Sequence, residues 1–498
     1  MRPLLEAEAG HRAPRFSQKD NTMKFNILKT SRARGNTLNK AGGEAYVETA
    51  KLELASLLMT SMLGDQYYRT ADAATKRIKE LVAQTGDKKF VAKAALYARK
   101  EAGMRSVSHL VASELAHMVK GEPWTAKFYD RVVHRPDDAL ETLACYVGTY
   151  GRPIPNALKK GLGKALARFD EYQIAKYRKT NAEISLVDLV NLVHPPHTEA
   201  LRKLVNGTLA PAETWETKLT QAGANAETDA ELADLKKDAW TELIRSRKLG
   251  YFALLRNLRN IVATAPDAIE DAIAMLTDAR LIKKSLVMPF RFTTALEALQ
   301  SSGLPAASRV LAALSDAVDA SLANVPRYEG KTLVALDGSG SMMGKPSKIG
   351  ALFTATLAKA NDADVMLFSD DAKYVSINKR DTTLTVANWL ERQCASAGTN
   401  FHAIFNRAVS SYDRIIILSD MQGWIGHDTP VASFDAWKAK YGASPKVFSF
   451  DLQGYGTLQF PQRDVYCLAG FSDKTFDTLQ RLESDQAAFL KQIEVIEL

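Results

Sequence analysis

Between Thr332 and Gly344 the chain reads TLVALDGSGSMMG, and this stretch constrains the fold more than any other. Thr332 to Leu336 is a short apolar run containing β-branched residues, suited to a strand buried on both faces of a parallel sheet. It delivers Asp337-Gly338-Ser339-Gly340-Ser341 to the strand's carboxyl end, where an open α/β sheet carries its ligands. An Asp and two Ser at alternate positions, spaced by Gly, can turn three oxygens toward one point while the backbone bends tightly around it. Oxygen donors of this kind suit Mg²⁺ or another hard divalent cation. On this stretch alone, an Asx or Ser turn capping a helix reads equally well.

Two later segments favour the cation. Ser396-Ala397-Gly398-Thr399-Asn400 precedes an amphipathic stretch, Phe401–Val409, and Arg414–Leu418 (RIIIL) is a second buried-strand run ending in Ser419-Asp420. A further hydroxyl and a further carboxylate are thus placed at element edges. The three segments together resemble the metal-ion-dependent adhesion site of von Willebrand factor A domains. The resemblance implies that Ser339, Ser341 and Thr399 are direct hydroxyl ligands, and that Asp337 and Asp420 hold the ion through water. Asn400 stands where many relatives have Asp, which changes the charge near the ion without removing an expected ligand.

The chain has 498 residues, enough for several domains, and its 46% hydrophobic and 24% charged content is ordinary for a globular protein. No apolar run reaches bilayer-spanning length, and the start, MRPLLEAEAGHRAPRF, lacks the apolar core of a signal peptide, so no membrane and a cytoplasmic location are expected. Cys145, Cys394 and Cys467 have neither disulfide nor zinc spacing and are expected to be buried thiols. Charge is divided unevenly. From Lys331 onward 17 basic residues face 19 acidic ones, so with a whole-chain net charge of +8 the first 330 residues carry a surplus of ten positive charges. That surplus suits a polyanionic partner, although a basic surface kept for solubility would look the same.

Residues 1–22 are polar and aperiodic and read as a mobile arm; Met23–Lys40 is irregular and more basic. From Gly43 to about Val325 strand signals almost vanish. Ala45–Leu63, Thr70–Thr85, Lys88–Gly103 and Val107–Lys120 are each amphipathic and separated by short breaks, the pattern of an α-solenoid with degenerate, HEAT-like repeats. Within it, Tyr172–Lys179 is a basic helix end, and in the string Ile184–His194 Ser185 is the N-cap of a second helix that stops at Pro195. Leu249–Val262 sets Arg256 and Arg259 beside Asn257 and Asn260, residues that can equally bridge neighbouring helices.

The strings KYRK, LVDLVNLVHPP, ALLRNLRN and PFRFTTALEAL, in this order and ahead of an A-like domain, resemble the TROVE module of the Ro RNA-binding proteins over roughly Gly43–Leu498. The resemblance implies a ring of helical repeats (23–325) closed by a doubly wound von Willebrand A-like α/β domain (330–498). It also implies a monomer that binds small noncoding Y-like RNAs on its outer surface and single-stranded 3′ ends of misfolded RNAs in its hole, with an exoribonuclease as a further partner. Lys176 and His194 match Y-RNA-contacting positions; a third basic position falls on Thr180, with Lys179 adjacent. No bond cleavage is implied. The alternatives are a metal-dependent protein-adhesion module and a metal-dependent nuclease using Asp337 and Asp420, although two-metal nucleases gather more carboxylates than this.

Overall fold

Short caps and close approaches set the helical part of the protein. The computed structural model describes residues 37–38, 44–45, 50–60, 71–178, 184–394, 397–426, 429–452, 459, 465–469, 479 and 486–498. The arm expected over 1–22 lies outside the described residues, as do Lys179 and Thr180. The break Thr85-Gly86-Asp87 ends one helix and caps the next, because the Phe90 amide donates to Asp87 Oδ1 at 3.0 Å. Helices follow at Lys88–Lys100, Ser106–Met118, Thr125–Val132, Pro136–Tyr150 and Asn156–Leu166, and continue to Ala307–Ser321. One expectation fails at the start of this region. Ala45 does not open a helix: β1 (Thr37–Leu38) pairs antiparallel with β2 (Glu44–Ala45), and the first helix is Ala50–Thr60. Two-residue strands carry no periodic signal, and their pairing wins there over helix propensity.

Asp138 is the polar centre of the first helices. Its wholly buried carboxylate accepts from Arg99 Nη2 at 2.7 Å, Arg105 Nε at 2.9 Å and the backbone amides of His134 and Arg135 at 3.0 Å each, and His109 Nε2 lies at 3.1 Å. Burial alone would push this carboxyl up. The His109 hydrogen bond and the Arg99 charge outweigh burial and hold it well below the usual carboxylate range.

The sheet lies in the C-terminal part, in the order β5-β4-β3-β6-β7-β8, with β3 Thr332–Asp337, β4 Asp364–Phe368, β5 Ala372–Val375, β6 Arg414–Ser419, β7 Lys446–Asp451 and β8 Val465–Ala469. All neighbours are parallel except the edge strand β5, which runs antiparallel to β4. Side-chain alternation along β3 feeds two cores. Val334 and Leu336 join Phe353, Leu357 and Phe448 on one face, whereas Leu333 and Ala335 join Phe401, Phe405 and Phe434 on the other. The first of these cores is continuous with the helices from Leu52 to Leu209; a separate core unites Trp240 to Val318.

Both ends of the helical array dock on the α/β domain. Near the array's start, Lys93 Nζ donates to the Glu494 carbonyl at 2.5 Å and Tyr97 OH to Gln492 Oε1 at 3.0 Å, against the final helix Gln486–Glu494. At its end, Asp319 Oδ1 accepts from the Thr383 amide at 2.9 Å and from Lys359 Nζ at 3.1 Å, while Phe290 packs on Phe353 with ring centroids 5.8 Å apart. The helices and the α/β domain therefore form one closed circuit, as the ring expectation requires. Among the described residues no helix is long and apolar enough to cross a membrane.

Replacing Asp138 by Asn leaves the buried Arg99 charge without its carboxylate, so a loss of about 3–5 kcal/mol in urea unfolding is expected. A carboxyl held low in the folded state contributes its full stability above its unfolded value. The difference between wild type and Asp138→Asn should thus be constant from neutral pH down to about pH 5 and shrink below about pH 4. A difference that grows on acidification would contradict the assignment.

Candidate functional site

After β3 the chain crosses to β4 on one side, and then returns to β6 on the other, so the topological switch point lies between the carboxyl ends of β3 and β6. Those ends carry Asp337 and Asp420. Asp337 is wholly buried; its Oδ1 accepts the Ser339 amide at 2.8 Å and its Oδ2 the Ser419 hydroxyl at 2.5 Å. Ser339 and Ser341 hydroxyl oxygens are 3.2 Å apart, and Ser341 in turn hydrogen-bonds the Asp420 carboxylate, whose Oδ1 also accepts the Gln422 amide at 3.1 Å. Four of the five expected donors are thereby linked in one cluster.

The fifth, Thr399, arrives on a loop strapped to the others. The Gly340 amide donates to the Ala397 carbonyl at 3.0 Å, and the Trp424 amide to the Thr399 carbonyl at 3.3 Å, so the loop bridges the segments that follow both Asp residues. Gly398 is required for this approach: a Cβ there would meet Trp424 Cζ2 at 2.6 Å and Asp370 Oδ1 at 2.7 Å. Asn400 caps the helix Phe401–Arg407 through the His402 amide at 3.1 Å and is held to the Asp370 carbonyl at 2.9 Å.

The carboxyls of the cluster are held above their ordinary range. Burial, reinforced by the neighbouring Asp420 charge, raises the Asp337 carboxyl to about 7 against the hydrogen bonds of Ser419 and Ser339. Burial raises Asp420 as well, opposed by Ser341 and the Gln422 amide. A buried carboxylate satisfied only by neutral donors is stabilised by a nearby positive ion. The donor set, two carboxylates among hydroxyls, fits a hard divalent cation. Among the described residues no group of three or more His, Cys, Asp or Glu side chains is gathered as a metal site.

On the helical side, Lys176 ends the helix Glu171–Lys176 with Nζ 5.6 Å from the ring centroids of both Tyr172 and Tyr177. Arg135 lies 4.2 Å from the Tyr177 ring, giving a mixed aromatic and cationic surface. Ser185 caps the next helix, Leu186–Val193, by accepting the Asp188 amide at 3.1 Å, and His194 terminates it in the left-handed conformation with φ 48°, exposed to solvent. Lys176 and His194 lie at the ends of successive helices, Glu171–Lys176 and Leu186–Val193. In the helix Tyr251–Thr264, Asn257 turns inward and donates to the Ala253 carbonyl at 3.0 Å, whereas Arg256 and Arg259 are exposed.

Sequence reasoning missed Ser419, which bonds Asp337 directly; its position beside Asp420 at a strand end was the available signal. The thiols are a correction: Cys145 and Cys394 are half-buried rather than buried, and burial raises the Cys394 thiol to about 11.

Residues 47–210 and 207–332 match the family model described as the TROVE domain. The "RNA-binding protein RO60" of Deinococcus radiodurans is 23% identical over 496 residues, covering 87% of this chain and 92% of that protein. "Telomerase protein component 1" of Rattus norvegicus is 24% identical over 349 residues, or 51% of this chain, yet the match spans only 13% of the rat protein's length. A crystal structure of the Deinococcus radiodurans Ro (Rsr) protein superposes with a TM-score of 0.61 at 19% identity, covering 89% of this chain and all of that one, which shows the same fold. With its family model matched across more than half of its length, the chain belongs to the TROVE-domain family.

Proposed function

We propose that this protein is a non-enzymatic, cytoplasmic RNA-binding scaffold or chaperone that takes small noncoding Y-like RNAs on its outer surface and the single-stranded 3′ ends of misfolded RNAs in its ring, in RNA quality control. The observation that carries this reading is a coincidence of location: the TROVE match, residues 47–332, carries 40 Lys and Arg against 34 Asp and Glu, whereas the chain beyond it is net acidic. Lys and Arg there neutralise phosphates, and Tyr172 and Tyr177 around Lys176 offer faces for unpaired bases. The relative named an RNA-binding protein spans nearly the full length, which supports the same class. An exoribonuclease is a fitting partner for a protein that presents 3′ ends without cutting them.

In this reading Ser339, Ser341 and Thr399 ligate Mg²⁺ directly while Asp337 and Asp420 hold it through water. When bound, the cation supplies an electrophilic coordination position for an external carboxylate. A second reading, protein adhesion at this site, is favoured by the exposed side chains of Met343 (62%) and Trp424 (55%) beside it. It is compatible with RNA binding elsewhere on the ring.

Asp337→Ala should abolish Mg²⁺ and Mn²⁺ binding in calorimetry and leave the circular dichroism spectrum unchanged, since the site sits at strand ends. Unaltered cation affinity would remove Asp337 from the site. Labelled RNA incubated with the Mg²⁺-loaded wild type should remain intact; turnover that vanishes in Asp337→Ala would replace the scaffold reading with a nuclease.

Lys176→Ala combined with His194→Ala should weaken binding to a structured small RNA and lower its salt slope by about one for the lost lysine. Affinity for an RNA with a free 3′ tail should change less. Equal loss on both ligands would place Lys176 and His194 elsewhere than on an outer structured-RNA surface. Thr180→Arg should tighten structured-RNA binding if a basic residue is missing there.

A further inference from the structure

A cavity of about 690 Å³ opens between the helices Ser106–Met118, Thr125–Val132, Pro136–Tyr150 and Asn156–Leu166, with His117, Lys120, Tyr150, Arg152 and Lys160 in its wall. His117 and Tyr150 are stacked with centroids 3.9 Å apart and planes within 5° of parallel. Tyr150 is fixed from behind: its hydroxyl donates to Glu114 Oε2 at 2.6 Å, and Lys79 Nζ lies 3.3 Å from Glu114 Oε1. Glu114 is itself buried, so the ring it holds is a rigid support. His117, in contrast, is exposed and stands in the cavity wall.

The cations around this platform are uncommitted. Among the described residues Lys120, Arg152 and Lys160 make no ion pair, whereas Lys164, one turn beyond Lys160, lies 3.3 Å from Asp130. The acid in the wall, Glu122, accepts the Trp124 indole N–H at 3.1 Å. A second cavity of about 490 Å³ shares Arg152, Pro153 and Ile154 with the first and reaches Lys159 and Leu192. Leu192 belongs to the helix Leu186–Val193 that His194 terminates, so the second cavity, with Arg152 and Lys159 in its wall, reaches that helix.

We propose that the first cavity holds one unpaired nucleotide of a bound RNA, its base stacked on the open face of His117 and its flanking phosphates against Lys120, Arg152 and Lys160. The inference rests on the RNA-binding reading above and adds a contact distinct from Lys176 and His194. A base stacks on any π-face, so the site selects for an unpaired base rather than for sequence. The support fixed by Glu114 lowers the ordering cost of that stack. A paired base has its faces covered by its neighbours and cannot enter.

The test measures fluorescence anisotropy of the full chain with a labelled, unstructured oligoribonucleotide, a blunt hairpin of the same length, and AMP as competitor. His117→Ala should weaken oligoribonucleotide binding about tenfold, and His117→Phe, which keeps a stacking face, should restore it. Arg152→Ala should lower the salt slope for the oligoribonucleotide by about one. Hairpin affinity should hardly move. Unchanged oligoribonucleotide affinity in both alanine variants would overturn the cavity assignment while wild-type binding left RNA recognition standing. A wild type that binds neither RNA would overturn the RNA reading itself. AMP binding lost in His117→Ala without any change for the oligoribonucleotide would assign the cavity to a free nucleotide and overturn the proposal.

Discussion

The rest of this structure depends on closure. A helical array buries each helix only against its neighbours, and its two end faces stay exposed unless something covers them. Here one α/β domain covers both. Lys93 and Tyr97 reach the C-terminal helix, and Asp319 near the other end is gripped by Thr383 and Lys359. The core from Leu52 to Leu209 runs on into one face of the sheet without interruption, which makes the domain part of the ring's interior rather than an appendage. Positions far apart in sequence are therefore held in a single frame.

Two buried aspartates show how the frame uses the same residue for opposite ends. Asp138 sits among Arg99, Arg105 and His109, and their charges hold its carboxyl low; the group is consumed by structure. Among the described residues Asp337 has hydroxyls and an amide as partners, with a second aspartate nearby, and is raised to about 7. A charge satisfied in place stabilises a fold, whereas one left wanting marks a place where a ligand completes the chemistry. That contrast separates the two candidate roles more firmly than burial does, since both carboxylates are fully enclosed.

The cationic surfaces divide along similar lines. Asp130 neutralises Lys164, and Glu171 neutralises Lys203, whereas among the described residues Lys120, Arg152 and Lys160 make no ion pair beside an aromatic stack, and Lys176 lies 5.6 Å from each of two tyrosine rings. Uncommitted cations next to open aromatic faces suit a single-stranded polyanion better than a folded protein partner.

Much was legible in the chain itself because it depends on local rules. The strand of Thr332–Leu336, the cap at Ser185, the helix stop before Pro195 and the D-x-S-x-S loop each follow from a few neighbouring residues. The pairing of Thr37–Leu38 with Glu44–Ala45 was not legible, since two-residue strands carry no period. Nor was the Ser419 bond to Asp337, which spans 82 residues and exists only because β3 and β6 are register neighbours. His117 and Tyr150 give no sequence sign of a stack, for their rings meet across two separate helices through a buried glutamate. The sequence by itself determined the helical character of the first part of the chain, the strands of Thr332–Leu336 and Arg414–Leu418 and the residue types at their ends, because propensity, capping and periodicity act over a few residues. Only the tertiary structure decided which charges were neutralised and which were left open, because that depends on partners brought together by the closed ring.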